Sequence, residues 1–455
     1  MSLNDEIMPA IFLTEESKKN IFDSLDRLSD YLRSKGSIDF TITYRHELSS
    51  SLNVRMLEVE SFAQNLKSGL DIQVYLGHRA GSASCSGAIW DDWQRTADQA
   101  LIFASLAQED PYLSLPPTEL FSNHIIDCQL YQPEVLPSQK MLDLALELER
   151  SSLNFSEKIK NSDGASVDAS YDFIWYLNSK GLRVMIPASS YGYAVSVLAQ
   201  DGDSVEADSA YEYARAWDLL SNPEEIGKKA ASRAISRLNP QPVVSGYYPV
   251  IFSPRCSASL LGHLFASLTG RSQYMKATMN LDALGKQILP NWMNISDNPH
   301  LARGQKSSPL DDDGLPTYPH LFVQNGVIKE YILSYYSAKR LGLKPNHLSG
   351  GLMNTNLTTN ISDLQALLNL YPKIILIDQL SGTGVNIVNG DYSRGIDGFY
   401  VENGQIIHAV KETTVAGNLK EMFMNIEFHA KDAEKNRSIQ AGSFMIHGMM
   451  TAGSE

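Results

Sequence analysis

The chain has 455 residues, 43% hydrophobic and 20% charged, which is ample for a buried core and too long for one domain of ordinary size. A formal net charge of −14 opposes binding to a phosphate backbone, and no Lys/Arg run exceeds a pair such as Lys18-Lys19 or Lys228-Lys229, so no nucleic-acid partner is expected. Three distant cysteines (Cys85, Cys128, Cys256) make no disulfide framework, and no apolar run has the length of a membrane span or the form of a leader after acidic Asp5 and Glu6. A cytoplasmic protein without membrane association is expected.

Along the chain, Ile21, Leu25, Leu28 and Leu32 recur at helical spacing, and Gly36 stops that helix. Phe40, Ile42 and Tyr44 alternate as a half-buried strand does, and short strand-like stretches follow near 52–59, 71–77 and 82–86. A helix is expected over 91–108, with Trp93, Ala97, Ala100, Leu101 and Ala104 on one side and Asp91 and Asp92 in the first turn. Ser138 reads as the N-cap of the next helix, which buries Met141, Leu144, Ala145 and Leu148. Strand pattern returns from 171 to 200, broken by the turn at 178–181. Asn222-Pro223-Glu224-Glu225 then reads as an N-cap, an N1 proline and an acidic first turn.

Pro240 and Pro242 place the domain boundary in 239–246, giving domains of 1–240 and 241–455. In the second half, Asn325-Gly326 and Asn403-Gly404 sit between alternating segments, and both read as tight hairpin turns. A helix is expected to start at Ser362, with Gln365 completing a capping box. The fold class is α+β: a mixed helix/antiparallel-sheet N-terminal domain followed by a mainly antiparallel β C-terminal domain.

The candidate chemistry is sparse. A zinc hydrolase needs imidazole or thiolate ligands and a carboxylate base. Only His46-Glu47 pairs a His with a Glu, and Ser50 and Ser51 stand where a second His is required, so the pair reads as a surface feature. His263, among Leu260, Leu261, Leu264 and Phe265, reads as a hydrogen-bonded packing residue, and Asp311-Asp312-Asp313-Gly314 as a solvated turn. Cys256 follows Arg255 without an identifiable His and reads as a structural thiol. No nucleophile elbow, P-loop or dinucleotide fingerprint occurs.

The segment Gly384-Val385-Asn386 through Gly390-Asp391-Tyr392-Ser393-Arg394-Gly395, continuing as Gly398-Phe399-Tyr400-Val401-Glu402-Asn403-Gly404, resembles the TldE/PmbA family. Matches in the same order include Thr414-Val415-Ala416-Gly417-Asn418-Leu419, Asn298-Pro299-His300-Leu301, Ser307-Ser308-Pro309, Tyr335 to Gly342, Gly81 to Ser84 and Glu109 to Tyr112. Members are often labelled modulators of DNA gyrase. The resemblance implies pairing with a TldD-type subunit that carries zinc on a His-Glu-x-x-x-His helix and a downstream Cys, and joint action on unfolded peptides.

Aligned on Leu268-Thr269-Gly270, the first His and the Glu fall at Leu261 and Gly262, the second His at Ala266, and the Cys at or near Gly395. The resemblance therefore implies no catalytic residue, metal or cofactor in this chain, with zinc in the partner. Asp391, Tyr392, Ser393, Arg394 and Gly395 are the candidates for facing that partner or the shared chamber. A homodimer in the partner's absence is left open. Two other readings stand beside this one: a free-standing binding protein acting on gyrase or another target, and an autonomous hydrolase using His263, His300 or Asp311–Asp313.

Overall fold

A computed structural model describes residues 14–36 and 38–453. Asp5 and Glu6, cited above against a leader, lie outside the described residues.

The first domain opens with α1 (Glu15–Ser34), capped by the Thr14 hydroxyl and burying Leu25, Leu28 and Leu32. Three strands follow, β1 (Asp39–Arg55), β2 (Glu58–Leu76) and β3 (Arg79–Ser86), and then α2 (Trp90–Leu106). The apolar side of α2 is mostly alanine, so the helix lies close on β3. At Gly81 an added Cβ would stand 2.2 Å from the Ala104 nitrogen, so only glycine fits there.

Helix α3 (Ser138–Leu153), β4 (Ile159–Asn178), β5 (Arg183–Asp201), β6 (Ser204–Ala214) and α4 (Pro223–Ser236) complete the domain. Its six strands form one antiparallel sheet in the order β3-β2-β1-β4-β5-β6. The strands run longer than their patterning suggests, because the face away from the helices carries Ser, Thr and Asn where alternation with charge would have marked them. Two expectations in this domain are corrected. Ser138 is the first helical residue and Pro137 occupies the cap, with no side-chain bond. His46 is half-buried and packs edge-on against Tyr44 (4.9 Å) and Trp175 (5.7 Å), so it is only partly the surface feature expected.

The second domain contains β7 (Gly246–Phe252), α5 (Pro254–Ser267), α6 (Gly270–Tyr274), β8 (Ile295–Asp297), β9 (His320–Gln324), β10 (Val327–Ile328), α7 (Tyr335–Leu341) and β11 (Thr355–Leu357). It ends with α8 (Leu364–Leu368), β12 (Lys373–Ser381), β13 (Asp391–Glu402), β14 (Gln405–Asn418), α9 (Leu419–Met424), β15 (Ile426–His429), β16 (Ile439–Gln440) and β17 (Phe444–Ala452). One sheet runs β14-β13-β12-β7-β17-β15 and closes through a further β14–β17 pairing; a smaller one runs β10-β9-β8-β11-β16. Pairing is antiparallel except for β7–β12 and β11–β16.

Both Asn-Gly turns form as expected, with φ of 52° and 74° at Asn325-Gly326 and 50° and 79° at Asn403-Gly404. The cap at 362 is corrected by one residue: Asp363 accepts from the Ala366 amide at 2.8 Å, and Gln365 instead donates to the Gly404 carbonyl. A carboxylate at that position is at least as good a cap as a hydroxyl.

One core runs from Leu25 to Leu238 and another from Val243 to Met449. A network of ion contacts, buried at Asp208 and more open at its ends, joins the two halves. Asp208 on β6, fully buried at its side chain, meets Arg237 at 3.1 Å and Arg255 at 3.2 Å, and Arg255 also reaches Asp378 on β12 at 3.1 Å. Lys411 pairs with Glu206 at 2.7 Å, and Glu434 receives Lys229 at 2.9 Å and Arg233 at 3.1 Å.

Candidate functional site

The positions singled out by the zinc comparison lie on α5 and β13. Pro254 at N1 starts α5, and its buried side packs Cys256, Leu260, Leu261, Leu264 and Phe265 into the second core. Leu261 is fully buried. Gly262 and Ala266 lie on the partly open side, and a Cβ built at Gly262 would meet nothing within 4 Å. Gly395 lies across from Ser381 and Thr414, and a Cβ there would stand 2.4 Å from the Ser381 hydroxyl. None of these four side chains offers a donor to zinc or takes a proton, so the residues present do not fit the metal. Among the described residues, no group of three or more His, Cys, Asp and Glu is placed to hold a metal ion.

The other candidates separate. His263 packs edge-on against Tyr392, with ring centroids 6.3 Å apart, and its buried Nε2 has no hydrogen-bond partner, so it packs as expected without the expected bond. Burial and then the Arg394 charge lower its pKa, which keeps the imidazole neutral. Along β13, Asp391 and Ser393 are exposed and Arg394 is half-buried, donating from Nε to the Ser381 carbonyl at 2.9 Å. Tyr392 is 2% exposed and belongs to the core. Only its neighbours therefore present side chains outward.

Cys256 is buried, and desolvation pushes its thiol up to about 12 against the weaker pull of Ser253 and Arg255, which fits a structural thiol. His300 bonds Thr317 at 2.9 Å, and burial lowers its pKa. The acidic run is corrected. Asp311, 6% exposed, accepts from the amides of Asp313, Leu315 and Ser349, and Asp313 accepts from that of Tyr335. The Asp311 and Asp313 carboxylates replace water with backbone donors, while Asp312 stays exposed, so the run is a solvated turn only at its middle residue. Burial and then the neighbouring Asp313 push Asp311 up to about 7 against those amides.

A cavity that the sequence did not reveal opens beside Ala266. It measures about 620 Å³ and is lined by Phe265, Ala266, Thr269, Ile332, Leu348 and Leu352, among others, with Arg271 and Lys306 as its charged members. No carboxylate lines it, although the chain carries a net charge of −14. Lys306 is held in the lining by donating to the carbonyls of Gly350 (3.4 Å) and Leu352 (3.1 Å). The lining comes from segments far apart in sequence, and Arg271 and Lys306 are ordinary exposed cations when read singly. An apolar pocket with two cations suits an extended apolar segment carrying a carboxylate.

Among the described residues, no helix is long and apolar enough to cross a membrane. Residues 131–238 match the PmbA/TldA metallopeptidase central domain, and residues 245–453 match the corresponding C-terminal domain. A metalloprotease PmbA homolog of Haemophilus influenzae is 35% identical over 405 residues, covering 89% of this chain and 90% of its own. The fold is that of a candidate modulator of DNA gyrase from Bacteroides thetaiotaomicron, with a TM-score of 0.89 at 24% identity over 97% of this chain and all of that one. It is also that of TldE from Thermococcus kodakarensis, with a TM-score of 0.80 at 18% identity over 94% of this chain and all of that one. With family domains across both halves and a close relative along nearly its full length, the chain belongs to the PmbA/TldE family of metalloprotease-related proteins.

Proposed function

We propose that this chain is the non-catalytic subunit of a two-component zinc metallopeptidase acting on unfolded peptides, paired with a TldD-type subunit. What supports the reading is the alignment on Leu268-Thr269-Gly270, in which Leu261, Gly262 and Ala266 fall at the two imidazoles and the carboxylate base, and the thiolate falls at or near Gly395. In the partner, zinc would polarise the scissile carbonyl and activate water beside a general base. This chain's share is binding. The cavity beside Ala266 receives an apolar stretch of extended peptide, and Arg271 and Lys306 draw its carboxylates. Asp391, Ser393 and Arg394 present the outward side of β13 to the partner or the shared chamber.

The test is cleavage of casein by the purified chain alone, by the TldD-type subunit alone, and by the mixture. Activity that requires the mixture and disappears with a chelator is the expected outcome. Chelator-sensitive cleavage by this chain alone, surviving rigorous removal of contaminating proteases, overturns the reading.

A further inference from the structure

The cavity beside Ala266 has a neighbour. A second cavity, of about 370 Å³, opens between the first domain's sheet, at Thr41 and Tyr75, and the acidic run of the second domain. Its described lining carries Asp71, Asp312 and Asp313 and no cation, the reverse of the larger cavity, which carries Arg271 and Lys306 and no carboxylate. Lys339 bonds the Ser114 hydroxyl in its wall at 3.0 Å without lining it. The two cavities meet at two places. Gly350 lines the larger one, and a Cβ built there would stand 2.5 Å from the Asp312 carboxylate of the smaller. Tyr336, half-buried on α7, lines both. The first contact is fixed backbone, whereas the second is a side chain that can change rotamer. Its hydroxyl donates to Asp110 at 2.6 Å and accepts from Arg340 at 2.8 Å, and Tyr274 meets the ring edge-on at 5.9 Å. Asp110 lies 226 residues earlier, in the first domain, so this bond pins the ring across the two halves. A hydrogen bond to a carboxylate is shorter and stronger than a neutral one, and this one is short.

We infer that Tyr336 is a specificity-determining partition, and that its bond to Asp110 keeps the two cavities apart and so limits the length of peptide held. The inference rests on the peptide-binding role given above to the larger cavity. With the ring pinned, an extended segment seated beside Phe265, Ala266 and Ile332 ends against it, and residues beyond that point gain no contact. With the pin removed, the ring turns about its side-chain bonds and the two cavities become one passage. The charge contrast then decides what enters. Past Tyr336 the walls carry Asp71, Asp312 and Asp313, so a cationic residue is drawn in and an acidic one is repelled. The joined site takes a longer peptide, apolar and acidic at one end and basic at the other.

The test is fluorescence anisotropy of the full chain with labelled peptides of alternating leucine and alanine that end in aspartate. Each is lengthened one residue at a time at the opposite end, with lysine in one series and aspartate in another. A second pair of series with the termini exchanged covers either direction of entry. The quantity read is the ratio of long-peptide to short-peptide affinity within each protein, so a general loss of binding in a variant does not affect it. Wild type is expected to level off with length, whereas Tyr336→Ala and Asp110→Ala, checked for folding by circular dichroism, gain on the order of tenfold from added lysine and nothing from added aspartate. A wild type that gains as much as the variants overturns the inference, and so do variants that level off as wild type does. A chain that binds none of these peptides overturns both this inference and the binding role of the larger cavity, while casein cleavage by the two-subunit mixture still judges the subunit reading separately.

Discussion

Met56 and Leu57 form the β1–β2 turn with φ of 52° and 63°, a left-handed pair built from residues that rarely adopt it. Nothing in a Met-Leu dipeptide announces such a turn, whereas Asn325-Gly326 and Asn403-Gly404 were readable because their own chemistry tolerates it. The compensation comes from Glu149, 92 residues beyond Leu57, whose carboxylate takes both turn amides in the protein interior. Long-range compensation of this kind is invisible to short-range pattern. Leu57→Gly is expected to raise stability by about 1 kcal/mol by relieving the strain, read as a shifted urea midpoint. Glu149→Leu is expected to cost about 2–4 kcal/mol, because two amides of the strained turn lose the buried carboxylate that accepts them. A Glu149→Leu protein as stable as wild type would show that the turn holds itself.

Among the elements, α4 was legible from Asn222-Pro223, which do cap and open it, and α2 from its alanine spacing with Trp93. β6 was not, because its alternation is inverted. Val205, Tyr211 and Tyr213 point outward while Glu206, Asp208 and Glu212 are buried. A period-2 reading assigns the apolar set to the core. The acids win the inside because cations wait there: Lys411 of the second half for Glu206, and for Asp208 both Arg255 of the second half and Arg237 at the end of α4. Asp208→Ala is therefore expected to cost about 3 kcal/mol, because it removes the fully buried carboxylate shared by two guanidinium groups and leaves them Asp378 and Asp397, whereas Val205→Thr stays within about 0.5 kcal/mol. Thermal melts of the two variants decide it, and the opposite ranking would restore the simple alternation. The four positions aligned with the family's zinc motif follow a different logic: that their side chains offer no metal donor is plain from residue type, but the cavity beside Ala266 required the folded chain.

For the molecule as a whole, the α+β class and the antiparallel pairing were legible, while the closure of the β14–β17 ring and the ionic seam between the halves were not. Glu434 belongs to that seam. Burial works against its charge, yet the hydrogen bonds and charges of Lys229 and Arg437 hold its carboxyl down to about 2. Because the folded pKa lies below the ordinary carboxylate value, the stability from this group is complete above that value and is lost as the pH falls toward about 2. The stability difference between wild type and Glu434→Gln is accordingly expected to be largest near neutral pH and to shrink progressively below about pH 4, as urea midpoints across the acid range would register. A difference independent of pH would remove Glu434 from the seam's energetics.

The strand order β3-β2-β1-β4-β5-β6 has a consequence in time as well as in space. It consists of two meanders of consecutive neighbours, β1 to β3 and β4 to β6, each closed by short turns, joined only where β1 meets β4. Local hairpins form early because little chain entropy is lost in closing them, while the β1–β4 seam must wait until α2 and α3 have folded in the interval. The two meanders are then the first ordered bodies on the folding route, and the seam is its slow step. Until that seam closes, β1 and β4 are themselves open edges, and a crowded nascent chain is most exposed to mispairing at that stage.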